Sequence, residues 1–511
     1  MGEAKRREQT ALLRVEEAFG LETAGGRIQL RWDEQAEVTP FGQMAFFIEF
    51  LSLTGVLEDW IASCPLSYTS PNAPDKRDVL GTWLLSILAG HKRYAHVTTI
   101  RSDGVNPSLL AMNKVISEDA LRRALKAIDE AAGPVWLEAH LQKCSAPLLA
   151  APWILDVDTT VKCLYGKQEA AIVGYNPKKP GRPSHTYHTY LMAGLRLVLD
   201  VDVLAGNESP AKYTMPGLMR IIDELREGSK PKLVRGDCGF GSEPVIVELE
   251  KRGVPYLFKL RLTKNVTRYI EKNFWMNDWS DGGQGWEARE GKLKLTGWSR
   301  ERRVVLLRRP LQGDVLFSEE TGQMALAFAE TVVPTKRYEY AVLVTDLAYA
   351  VEAIAQLYRD RGDAENTFDE LKNQWGWGGF TTGDMARCRL SAKAVALVYN
   401  WWSLFVRLAN PKERLEAITS RPLLLSGIAR KTSHAGQQYV TVTAMHGYGQ
   451  EAKAMLTRIS VMLKAWKTTA EQLGLKTVWQ QVCEYIVTAA TGFNWTAPPL
   501  LAAPPPQGAA A

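Results

Sequence analysis

Residues 358–372 read Tyr-Arg-Asp-Arg-Gly-Asp-Ala-Glu-Asn-Thr-Phe-Asp-Glu-Leu-Lys. On a single α-helix, Arg361, Glu365 and Lys372 fall at roughly −60°, −20° and −40° from Tyr358. One stripe then carries an aromatic ring, two cations and a carboxylate. Leu357, Phe368 and Leu371 share an adjoining stripe that would bury the helix against a core. A carboxylate held between cations, beside a buried face, suits a metal ion gripping a phosphodiester. The competing reading is a solvated face with ordinary charge pairs, which describes most charged helix faces. Two further aspartates tip the balance.

Trp153–Val161, reading Trp-Ile-Leu-Asp-Val-Asp-Thr-Thr-Val, predicts a strand with Asp156 and Asp158 on one face. A second strand at 232–234 runs into Gly-Asp-Cys-Gly-Phe-Gly, which sets Asp237 in a turn between Gly236 and Gly239. In an open α/β sheet, groups at strand ends and on a covering helix converge on one site. Three carboxylates gathered there repel one another unless a cation sits among them. Their hard oxygens suit Mg2+ or Mn2+. Two such ions about 4 Å apart stabilise the attacking and leaving oxygens of an in-line phosphoryl transfer. Arg361 is able to hold a phosphate bidentately. Taken singly, Asp158 also reads as the end of a strand and Asp237 as a turn residue. The joint order carries the case: strand Asp, strand-end Asp, helical Glu.

With these residues in place, the sequence resembles the DDE transposases of bacterial insertion sequences, in the group defined by a Tyr-Arg-Glu-Lys helix. That signature, Y-x-x-R-x-x-x-E-x-x-x-x-x-x-K, is matched in full by Tyr358, Arg361, Glu365 and Lys372. The family's strand Asp-x-Thr corresponds to Asp158-Thr159-Thr160, and its G-D-x-G-F block to Gly236–Phe240. Asp156 remains an alternative first acid. The resemblance implies an RNase H-like catalytic fold, with Asp158, Asp237 and Glu365 holding two divalent ions, Mg2+ or Mn2+. Water would cut each element end, and the freed 3′-hydroxyl would attack target DNA in the same site. Tyr358, Arg361 and Lys372 would contact phosphates, with Tyr358 no nucleophile.

The resemblance and the element pattern together give an α/β class with an RNase H-like mixed sheet. A β-rich insertion precedes the Glu365 helix, and helical regions flank the core. The expected boundaries are 1–150 for a helical DNA-binding region, 151–265 with 339–410 for the core, and 266–338 for the insertion. A helical C-terminal region covers 411–495, and a low-complexity, disordered tail covers 496–511. Within the first region, Leu84, Leu85, Ile87 and Leu88 mark a helix stopped by Gly90, and Ser117 caps another. Beyond the first strand, further strands are expected at 171–175 and 190–203, joined by a basic, turn-rich loop. The expected partners are double-stranded DNA, as terminal inverted repeats and as target, and a second copy of the chain on that DNA.

Net charge is a modest +6, yet residues 259–309 hold thirteen Lys or Arg against six Asp or Glu. A local surplus of this kind fits a polyanion. Lys178, Lys179 and Arg182, in the Pro-rich loop, are expected on DNA backbone. Trp298, beside Arg300, Arg302 and Arg303, reads either as a stacking platform for a base or as the core of a small β-unit. His188 reads as structural, with a phosphate contact as the lesser alternative. The six cysteines show no C-x-x-C pair and suggest buried thiols in a reducing compartment. No apolar run spans a bilayer, so a cytoplasmic, bacterial location is expected. A metal-dependent nuclease without joining, a catalytically silent DNA-binding protein, and a paired-acid glycosidase are the rival readings. The last leaves Arg361, Lys372 and the basic segment without a role.

Overall fold

The computed structural model describes residues 19–493, except for 35, 69, 177–178, 312–337, 412, 446 and 474–475. Lys178, part of the insertion and the expected disordered tail therefore lie outside the described residues. The strands are β1 (Phe19–Thr23), β2 (Gly26–Leu30), β3 (Glu37–Thr39), β4 (Ile154–Cys163) and β5 (Ile172–Val173). They continue with β6 (Pro183–Met192), β7 (Leu197–Ala205), β8 (Leu233–Gly236), β9 (Tyr256–Lys259) and β10 (Ser280–Gly283). The last are β11 (Trp286–Leu293), β12 (Arg302–Pro310), β13 (Tyr338–Thr345), β14 (Ala429–His434) and β15 (Gln437–Val442).

One 10-stranded sheet organises the molecule, in the order β10-β11-β12-β13-β9-β8-β4-β6-β5, with β7 also on β6. At its centre β4, β6 and β7 run antiparallel, while β4, β8 and β9 run parallel. Three antiparallel strands followed by two parallel ones, spatially ordered β7-β6-β4-β8-β9, constitute an RNase H-like arrangement. The free side of β7 is covered by the Met385–Ala409 helix, nearly all of it buried. Asn400 on that helix accepts from Val198 N (2.9 Å) and donates to Val198 O (2.7 Å). A buried asparagine thus satisfies backbone that an edge strand would leave open.

Several expectations are corrected. The span 190–203 is a hairpin rather than one strand. β6 begins inside the presumed loop at Pro183, and the turn before β7 includes Gly194 at φ +76°. The N-terminal region contains β1–β3 as well as helices, and β3 joins β14 and β15 in a second sheet, so the C-terminal region is not wholly helical. The segment expected as short strands opens with a helix, Lys264–Asn273. Thr263 caps it, and Val266 and Ile270 bury one face. The strands that follow, β10–β12, extend the main sheet beyond β13 instead of closing on themselves. The Lys76–Leu88 and Glu118–Ala127 helices lie where their patterns place them. Gly90 adopts φ +76° and Ser117 accepts from Ala120 N.

Candidate active site

The parallel pairing of β4 with β8 sets Asp156 opposite Arg235 and Val157 opposite Gly236. Matched positions in a parallel pair face the same way, and side chains alternate along each strand. Asp156 and Arg235 use that alignment. Nε and Nη2 of Arg235 donate to the two carboxylate oxygens at 2.6 and 2.7 Å. Both side chains are almost fully buried, and Arg235 Nη1 also donates to Leu357 O at 2.5 Å. Asp156, the alternative first acid, is therefore committed to a structural ion pair.

Asp158 on β4 and Asp237, the residue after β8, follow directly on the last paired residues, Val157 and Gly236. Asp237 Oδ1 accepts from Gly239 N at 2.8 Å, which fixes the turn. Burial pushes the Asp158 carboxyl up to about 6. Arg361 pulls it down, and the charge of Asp237 pushes it up again.

Arg361 and Glu365 approach from the covering layer. The expected single helix is two, Val351–Arg359 and Gly362–Asn373. They meet at a tightened turn, with Arg361 N bonded to Tyr358 O (3.1 Å) and Ala364 N to Arg361 O (2.9 Å). Such i→i−3 bonds overwind the chain relative to an α-helix, so the predicted stripe is broken between Tyr358 and Glu365. Arg361 Nη1 donates to Asp158 Oδ2 at 2.7 Å, and Nη2 lies 3.5 Å from Glu365 Oε1. Its guanidinium is 5.7 Å from the Tyr358 ring centroid. Burial pushes the Tyr358 phenol up to about 12, with Asp237 among the charges acting on it. Tyr358 is thus a neutral hydroxyl near neutral pH. The Glu365 side chain is 71% exposed, at the mouth of the site, whereas Asp158 and Arg361 are buried. Lys372 sits half-buried in the last turn of the second helix. Among the described residues, no three His, Cys, Asp or Glu side chains form a ready cation cage.

The other sequence candidates are dispersed. Lys179 and Arg182 flank the exposed Tyr165: Lys179 Nζ donates to its hydroxyl at 2.5 Å, and Arg182 lies 4.9 Å from its ring. Trp298 is only 7% exposed and lies under Arg302, so the core reading holds there and no free stacking face remains. Several arginines of the basic segment are held in ion pairs. Arg300 and Arg302 pair with Glu250, Arg303 with Glu290, Arg308 with Glu287, and Arg309 with Glu339. His188 is fully buried between Thr214 and Thr186, and burial pushes it down to about 4, as befits a structural residue. Sequence reasoning missed Arg235. Its signal was a lone cation inside an apolar strand, two residues before Asp237.

A sheet of this topology with acids on its central strands defines the RNase H-like class of α/β fold. The chain belongs to the family described as Transposase DDE domain group 1, which matches residues 75–463. Among solved structures, it is similar to the piggyBac transposase in a synaptic complex with hairpin DNA. The two share 11% identity over 89% of this chain and 88% of that chain, with a TM-score of 0.37. No curated protein matches the sequence. No described helix is long and apolar enough to cross a membrane.

Proposed function

We propose that this transposase cuts the ends of its element and joins them to target DNA by metal-dependent phosphoryl transfer at Asp158, Asp237 and Glu365. One observation carries the reading. Asp158 and Asp237 follow directly on the last paired residues of two neighbouring parallel strands, the charge of Asp237 acts on Asp158, and Arg361 touches both Asp158 and Glu365. The donor set consists of carboxylate oxygens alone, which fits Mg2+ or Mn2+. Burial raises the Asp158 carboxyl and the Asp237 charge adds to it, and a divalent ion would offset both. Such ions, when bound, polarise the phosphodiester and generate the nucleophile.

The chain's own residues do the rest. Arg361, with Lys372, holds non-bridging phosphate oxygens, and Tyr358 offers a neutral hydroxyl to the same backbone. The Asp156–Arg235 pair fixes the strand register that aligns the two aspartates. Lys179 and Arg182 extend the contact along the duplex, as Lys178 would. The N-terminal region binds the terminal repeats, the C-terminal region holds a dimer across two ends, and the protein works in the bacterial cytoplasm.

Incubation of the protein with labelled element ends and a target plasmid tests this. Wild type yields joined product, and Glu365→Gln abolishes cutting while sparing end binding. Cleaved but never joined product would assign a nuclease instead. Undiminished cutting by Glu365→Gln would remove Glu365 from the site.

A further inference from the structure

The carboxylates of the candidate site are already engaged by the protein itself. Asp158 Oδ1 accepts from Thr159 N at 2.7 Å, and Asp158 Oδ2 accepts from Arg361 Nη1 at 2.7 Å. The same guanidinium reaches Glu365 Oε1 at 3.5 Å. Arg361 is 8% exposed and its contact with Asp158 is buried, while Glu365 meets it from the exposed side. An ion bound by Asp158 and Glu365 would need the position that the guanidinium fills.

We propose that Arg361 is an internal counter-ion, which keeps the metal site closed until a DNA phosphate draws its guanidinium away. The inference rests on the proposed function and adds to it an order of events. A phosphate is the natural competitor, because the planar guanidinium fork matches two phosphate oxygens as well as it matches carboxylates. Arg361 sits at the tightened turn between two helices, so its side chain is able to swing without unwinding either. Linkage makes the effect reciprocal: backbone phosphate raises metal affinity by the factor by which metal raises affinity for that backbone. Arg361 is thus a positioning residue, acting through the carboxylates it occupies.

The test is Mn2+ binding to the full-length protein without DNA, followed by the electron paramagnetic resonance signal of free Mn2+, with thermal melting alongside. Arg361→Ala should bind Mn2+ roughly tenfold or more tighter than wild type, the change expected for removing one charge-assisted hydrogen bond. Added Mn2+ should then raise its melting temperature more than that of wild type. Arg361→Lys, which reaches one carboxylate at a time, should fall between the two. Equal or weaker Mn2+ binding by Arg361→Ala overturns the proposal. Should that variant misfold, Arg361→Lys decides: tighter binding supports the proposal and unchanged binding overturns it. Failure of the parent reading looks different. In that case no variant, with or without a short random-sequence duplex, binds Mn2+ at a site that Asp158→Asn removes, and both inferences fall.

Discussion

Asp156 and Asp158 lie two residues apart, face the same way and have opposite fates. Strand alternation in the sequence showed the shared face. It did not show which acid is free, because that depends on Arg235 arriving at the matched position of a parallel neighbour. Asp156→Asn should lower stability by ~3–5 kcal/mol, the cost of stranding a buried partner, as read from urea unfolding. The Asp158 carboxyl is raised by burial to about 6 from its usual 3.8. Between those values the folded protein keeps a proton that the unfolded chain has lost. The stability this group contributes is therefore full at low pH and lost as pH rises through about 6. Protons and metal compete for the same oxygens. Mn2+ affinity should accordingly fall steeply as pH drops through about 6, well above the usual carboxylate range. Titrations on either side of that pH check the point, and Asp158→Asn should flatten the dependence.

At the scale of elements, the four signature residues were legible but their helix was not. The sequence offers no proline to end it, and Gly362 gives only a weak signal. The turn is set by tertiary ties, Arg361 to Asp158 and Arg196 to Asp363 (2.5 Å). Helix spacing therefore assigned the four residues the wrong relative angles. The loop after the Glu365 helix shows a second constraint. Gly376 adopts φ +96°, and a Cβ on Gly379 would stand 1.9 Å from Lys92 O. Phe380 N bonds to that same carbonyl at 2.6 Å. Gly379→Ala must push the loop from its neighbour and should cost ~1–3 kcal/mol. Gly383→Ala, where an added Cβ meets nothing within 4 Å, is the control and should leave the unfolding midpoint in place.

Across the whole molecule, the order of strands and helices in the core was readable from hydrophobic periodicity and turn residues. The joining of β10–β12 to the main sheet was not, because pairing between strands distant in sequence leaves no local mark. The same blindness misled the charge count. Thirteen cations near one another in sequence suggested a basic surface, but six of the arginines are held in ion pairs, some with carboxylates from beyond the segment such as Glu250 and Glu339. Salt dependence of duplex binding separates free from engaged charge. Lys179→Ala with Arg182→Ala should reduce the slope of log affinity against log salt by roughly two. Arg303→Ala with Arg309→Ala should change it by less than about one. One last consequence follows from the chain separation within the site, where 203 residues divide Asp158 from its guanidinium partner. A ribosome must deliver both ends of that interval before any cutting centre exists. On the proposed assignment, a translation product that stops short of Arg361 also lacks Glu365 and so carries no complete cutting centre.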